Sequence, residues 1–229
     1  MITTPLLTRP FTTLADLLLP LRCAGCDLRG VALCPFCWHA IDPGDAPPRP
    51  YGRRSPVPIY SVAEYQGRAR AVLLAYKERD RRDLAAPLGD LLANALLHLP
   101  RATVAQDGGW WLVPAPSRAS AARRRGGSHL LRLARATADA LARAGHPVGV
   151  APALRFGAGV RDSVGLDRAA RAANLAGRVR FRESAAPPVG TRVVLLDDIV
   201  TTGATAAACV RELRRAGRPL SVVLTFASA

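Results

Sequence analysis

Two adjacent acids, Asp197 and Asp198, stand between an apolar run and a turn of small hydroxylated residues, an arrangement whose chemistry suits a phosphorylated sugar. Val193 to Leu196 are consecutive apolar residues preceded by the turn-forming Gly190, and they predict a short buried strand. From Thr205, Ala206, Ala207, Val210, Leu213 and Ala216 alternate with Arg211, Arg214 and Arg215 until Gly217, which predicts a helix. The acids then lie at a strand C-terminus, and Thr201, Thr202, Gly203, Ala204 and Thr205 turn into a helix N-terminus. Backbone N–H groups without helical partners suit a phosphate there, and so does the helix dipole. A carboxylate pair beside it suits sugar hydroxyls or a divalent cation. A ribose 5-phosphate satisfies both halves. The plainer alternative is a strand–turn–helix with Asp and Thr serving only as caps.

A second constellation precedes it in the chain. Cys23 and Cys26 form one C-x2-C pair, Cys34 and Cys37 another, with seven residues between them. Each pair can present two thiolates from one knuckle, and four thiolates complete a tetrahedral zinc site. Disulfides, a redox pair or an iron–sulfur cluster are the alternatives, and zinc is the better reading for a chain expected in the cytoplasm. A site closed by four sulfurs stabilises its lobe and does no catalysis. His39 lies just outside the set, and Cys209 falls on the helix after the turn, where it reads as core.

Other polar groups gather at a second strand end. Trp110 to Val113 predict a buried strand that stops at Pro114, and Ala115, Pro116, Ser117 and Arg118 form a stiff loop carrying a hydroxyl and a charge. Arg123, Arg124 and Arg125 follow in a Gly-rich stretch that reads as a flap over an anionic ligand or as a solvated charge run. Arg168 and Arg171 share a helix face, and Arg161 stands in the loop before them. Lys77 is the single lysine in the chain. Where arginine serves everywhere else, an ammonium at that position suggests a specific need.

These groups must be positioned by the rest of the chain. Of 229 residues, 49% are hydrophobic, enough for a core, and no apolar run reaches the length of a membrane span. Thr13 to Leu19 predict a short amphipathic helix, which with the cysteines makes an N-terminal lobe over 1–41. The Pro-rich stretch 42–58 predicts a stiff linker, and 59–229 a single larger domain. Strands are expected near 59–65, 110–113, 151–156, 192–196 and 220–226, with helices over 68–76, 84–97 and 130–144 between them. Alternation of this kind predicts an α/β fold with a mainly parallel sheet and its ligand at the strand C-termini. With 32 basic against 17 acidic residues the net charge is +15, which attracts polyanions.

The run VVLLDDIVTTGAT resembles the ribose-phosphate signature of type I phosphoribosyltransferases. That resemblance implies that Asp197 and Asp198 bind the ribose hydroxyls of phosphoribosyl pyrophosphate, with magnesium, and that residues 201 to 205 wrap its 5-phosphate. It implies a pyrophosphate site over Ala115, Pro116, Ser117 and Arg118, with Lys77 beside it. Some members carry an acid where this chain has Thr201, so no catalytic residue is assigned.

The order of features adds a finer resemblance. The four-cysteine lobe, Tyr65-x-Gly67 and the helix to Lys77, the Pro114 loop, the arginine run and the final motif together look like the ComF family, over nearly the whole chain. Two departures are visible: Gly127-Ser128-His129 stands where many relatives have an aromatic and a Gln, and Ser163 and Gly165 stand where Gln is frequent. The resemblance implies a zinc-binding lobe on a phosphoribosyltransferase-like domain that serves uptake of transforming single-stranded DNA alongside other DNA-uptake proteins. Arg123, Arg124, Arg125, Arg161, Arg168 and Arg171 are then candidates for the nucleic-acid contact or the flap. A nucleotide-salvage phosphoribosyltransferase and a non-catalytic module that binds phosphoribosyl pyrophosphate are the competing classes.

Overall fold

The computed structural model describes residues 21–52, 55–100, 110–117, 127–157 and 178–229. The expected helix at Thr13 to Leu19 lies outside these residues, as do Arg118, Arg123, Arg124, Arg125, Arg161, Arg168 and Arg171.

The described chain is α/β, with α1 (Pro35–His39), β1 (Arg49–Pro50), β2 (Ile59–Glu64), α2 (Gly67–Glu78), α3 (Ala85–Leu97) and β3 (Trp110–Pro114) in its first half. The second half contains α4 (His129–Arg143), β4 (Gly149–Val150), β5 (Leu154–Phe156), β6 (Val179–Phe181), β7 (Arg192–Val200), α5 (Ala204–Arg215) and β8 (Leu220–Ser228). Six strands form one sheet in the order β1-β2-β8-β7-β3-β4. All neighbours in it are parallel except the edge pair β1–β2. The mainly parallel sheet expected from the alternating pattern is therefore present. Its central strands are apolar on both faces, as Val193 to Leu196 and Val222 to Leu224 are each fully buried.

Two strands depart furthest from expectation. The strand expected over 151–156 is divided: Gly149 and Val150 pair with Trp111 and Leu112 in the main sheet, whereas Leu154 to Phe156 pair antiparallel with Val179 to Phe181 in a separate ribbon. Pro152 lies at the division, where it has no N–H to give a ladder. The final motif's strand is longer than Val193 to Leu196. It continues through both acids to Val200, because β8 extends beside it and pairs Ile199 with Ala227 and Val200 with Ser228.

Helices α3 and α4 pack closely at the middle of α4. A Cβ on Gly89 would come within 2.6 Å of the Ala136 carbonyl carbon and 2.8 Å of the Thr137 nitrogen, both backbone atoms. Gly89→Ala is expected to lower stability by about 1–3 kcal/mol through overpacking, against the roughly 1 kcal/mol that alanine gains over glycine in a helix. Urea unfolding followed by circular dichroism measures the net loss; a variant as stable as the parent would mean the two helices separate freely.

The four-cysteine lobe is joined to this body. Ile41 and Val57 belong to the main core, with Ala24, Ala32, Leu33 and Trp38 packed against it. Trp38 Nε1 donates to Asp42 Oδ2 at 3.0 Å, and Asn94 Nδ2 of α3 donates to Asp42 Oδ1 at 3.0 Å and to the Gly44 carbonyl at 2.9 Å. Within the Pro-rich stretch Arg49 and Pro50 add an edge strand, the sheet position where proline is tolerated.

Candidate functional site

β7 runs on through both acids, and the Asp197 carboxylate bends back along it to accept the Asp198 N–H at 2.9 Å. Asp197 lines a shallow concavity with Ile199, Thr201 to Thr205 and Thr225, beside the start of α5. Gly203 is the N-cap of α5 with φ of +75°, a left-handed conformation that favours glycine and turns the chain sharply into the helix. The Thr202 hydroxyl accepts from the Ala204 N–H at 3.4 Å. The first N–H groups of α5 thus open beside one carboxylate and several hydroxyls.

Asp198 is 4% exposed. Its Oδ2 accepts from Lys77 Nζ at 2.7 Å and from His129 Nε2 at 2.9 Å. Lys77 closes the last turn of α2, and His129 is the first residue of α4, whose N-cap Ser128 accepts from the Leu131 N–H at 3.2 Å. Tyr76 braces the cluster: its hydroxyl donates to the His129 carbonyl at 2.7 Å, and its ring meets the imidazole edge-on. Burial pushes the Tyr76 phenol up to about 12, which keeps it a neutral donor. Among the described residues His129 Nδ1, also buried, has no partner.

The two acids are held in opposite electrostatic states. Burial raises the Asp197 carboxyl, and the charge of Asp198 raises it further, more than Lys77 and a backbone N–H lower it. Burial acts on Asp198 in the same direction, but the His129 hydrogen bond and the Lys77 charge outweigh it and hold that carboxyl well below the usual range. A buried pair of this kind carries one firm negative charge and one that a cation would stabilise.

The loop after β3 reaches the same rim. Ala115 donates its N–H to the Leu196 carbonyl at 2.8 Å, one residue before the acids, and Pro116 is buried. Ser117 Oγ lies 3.2 Å from Ser128 Oγ, so this loop meets the N-terminus of the helix that brings His129 to Asp198. Lys77 is paired with Asp198. His129 is the residue that sequence reading assigned only to a basic Gly-rich run. Its local signal was the Ser128 cap before a leucine-rich helix, while its partner lies 69 residues away.

The four cysteines form a separate centre. Their sulfurs all lie within 4.8 Å of one another, close to the roughly 3.8 Å spacing that four thiolates adopt around zinc. Cys23, Cys34 and Cys37 are buried and Cys26 is exposed. The Cys34 N–H donates to Cys23 Sγ at 3.3 Å and the Cys37 N–H to Cys34 Sγ at 3.5 Å. Burial raises the Cys23 thiol, but backbone N–H groups of Cys34, Gly25 and Cys26 bring it down to about 7. Burial and the neighbouring sulfurs push Cys37 well up, so four thiolates together need a cation among them. Zinc fits this donor set.

Among the described residues no helix is long and apolar enough to cross a membrane. No protein-family model and no curated protein matches the sequence. Among solved structures, the chain is similar to an adenine phosphoribosyltransferase at 19% identity, covering 69% of this chain and 75% of that one, with a TM-score of 0.42. It is also similar to the adenine phosphoribosyltransferase of Thermoanaerobacter pseudethanolicus at 14% identity, covering 80% of this chain and 95% of that one, with a TM-score of 0.35.

Proposed function

We propose that this chain binds phosphoribosyl pyrophosphate with magnesium at the C-terminal rim of its sheet. One observation carries the reading: Asp197, the Thr201 to Thr205 turn and the N-terminus of α5 line a single concavity around a left-handed Gly203. The 5-phosphate lies against the first N–H groups of α5 and the threonine hydroxyls. The ribose hydroxyls meet the acidic pair, with Asp197 presented to the ligand and Asp198 fixed behind it by Lys77 and His129. Ala115, Pro116 and Ser117, with Arg118 next in the chain, serve the pyrophosphate. Magnesium fits the pair's unequal charges, and when bound it neutralises the diphosphate against Asp197.

The ComF resemblance favours a role for this site in the handling of single-stranded DNA, and the +15 charge supports contact with a polyanion. Arg123, Arg124, Arg125, Arg161, Arg168 and Arg171 are the proposed contacts.

The test is a thermal-shift titration of the zinc-loaded protein with phosphoribosyl pyrophosphate, with and without magnesium. A ligand at about 100 times its Kd stabilises by about 2.7 kcal/mol, an upward shift of a few degrees. A rise that needs magnesium is expected, and no rise with either addition would sink the reading. Pyrophosphate release in the presence of nucleobase acceptors then separates a transferase from a module that only binds.

A further inference from the structure

The phosphate turn has an external brace in the Pro-rich stretch. The Tyr51 hydroxyl donates to the backbone carbonyl of Thr201, a residue 150 positions later and the first beyond β7. The tyrosine is itself fixed on the sheet. Its N–H donates to the Ile59 carbonyl at 2.8 Å, and the two residues before it, Arg49 and Pro50, pair with Ser61 and Tyr60. On the other side of β1, the Trp38–Asp42–Asn94 bonds join the same stretch to the four-cysteine lobe and to α3. What composition suggests is a spacer is a strap with hydrogen bonds at several points.

The consequence for the turn follows from peptide geometry. Around a trans peptide bond the carbonyl and the following N–H point in opposite directions and rotate as one plane. Holding the Thr201 carbonyl toward Tyr51 therefore holds the Thr202 N–H away from it, within a turn whose residues line the concavity. The phenol also polarises that peptide, which makes the Thr202 N–H a stronger donor to an anion. Two further bonds of the turn are local ones, from Ala204 N–H to the Thr202 hydroxyl and from Ala207 N–H to the Gly203 carbonyl. A backbone anion site whose first peptide is held from outside its own strand–turn–helix is ordered before the anion arrives.

We infer that Tyr51 is a positioning residue for the phosphate turn, presetting the Thr202 N–H for the phosphate monoester of a ribose ligand. This rests on the proposed phosphate site, and the experiment separates the two. Isothermal titration of the full-length, zinc-loaded parent and Tyr51→Phe would use ribose 5-phosphate in one series and magnesium pyrophosphate in another. The substitution removes one hydrogen bond and keeps the ring, so ribose 5-phosphate should bind roughly fivefold more weakly. Pyrophosphate binding and zinc content should match the parent, which a general loosening of the fold would not allow. Equal affinity of parent and variant for ribose 5-phosphate overturns the role of Tyr51. Equal weakening of both ligands also overturns it, because the tyrosine would then act only through overall structure. A parent that binds no ribose 5-phosphate overturns the phosphate site itself. Tyr51→Leu, which also removes the ring, should lose no less ribose 5-phosphate affinity than Tyr51→Phe; retention of parental affinity in that variant counts against the inference.

Discussion

Asparagine at Asp197 is expected to abolish magnesium-dependent ligand binding while raising the melting temperature of the ligand-free protein near neutral pH. Asparagine at Asp198 is expected to abolish the same binding and lower the melting temperature. The difference comes from the opposite shifts of the two carboxyls. Burial and the Asp198 charge raise Asp197 to about 8. A carboxyl whose folded pKa lies above its unfolded value costs stability as pH climbs from about 4 toward about 8. Removing that charge removes the cost, on the order of 1–2 kcal/mol once partial exposure is allowed for. Asp198 has the reverse sign. Its depressed pKa contributes stability above the unfolded value, and that contribution is lost only as pH falls through the folded one. Its replacement leaves Lys77 and His129 facing a neutral amide, where breaking a fully buried pair costs about 3–5 kcal/mol. The cost here is smaller, since Lys77 remains 30% exposed. Thermal unfolding of both variants from about pH 5 to about pH 8 reads the pattern, and the Asp197→Asn gain should grow across that range. Shifts of the same sign in both variants would contradict the division of roles. A double variant that binds phosphoribosyl pyrophosphate as tightly as the parent would remove the acids from the site.

This trade of stability for function was partly legible in the residue pattern. The apolar run, the two acids and the Thr/Gly turn located the concavity, because strand burial and helix onset are local signals. That β7 continues through both acids was not local, because β8 carries it two residues past them and the length of one strand is set by its neighbour. Lys77 stood out as the single lysine, yet its partner lies 121 residues on, and a count of residue types cannot supply a partner. His129 was hidden by the basic run before it, although Ser128 is an ordinary N-cap signal. Pro152 was a visible reason to end the strand expected over 151–156, and the apolar content around it suggested continuity instead. Tyr51 offered no signal, since a lone aromatic in a Pro-rich stretch has many uses, and only its contact with Thr201 distinguishes it.

Removal of zinc is expected to melt the N-terminal lobe while the central sheet survives. The lobe's own apolar cluster consists of Cys23, Cys34 and Cys37 with Val31 and Leu33 packed on it, too little surface to hold a fold. A zinc ion at the four sulfurs would supply much of its order, since such binding in zinc-finger peptides is worth roughly 10–16 kcal/mol at neutral pH. Without it the Cys23 and Cys34 backbone bonds lose their purpose, because sulfurs this close repel once ionised. The sheet is different. Val193 to Leu196 and Val222 to Leu224 are fully buried in the central strands of a much larger core. Hydrogen exchange on chelated protein should therefore show loss of protection at Cys23, Cys34 and Trp38 and retention in β7 and β8. Between these extremes lie Ala24, Ala32, Leu33 and Trp38, which pack against the main core, and Arg81, which donates to the Arg22 carbonyl at 2.8 Å. Their detachment should lower the melting temperature of the whole chain by several degrees, since a loss of about 1 kcal/mol moves a domain of this size by roughly 2–4 °C. Cys34→Ser should reproduce the chelated state. Reduced, freshly purified protein that contains no zinc, or a Cys34→Ser variant with full protection at Trp38, would show that the four sulfurs hold the lobe by some other means.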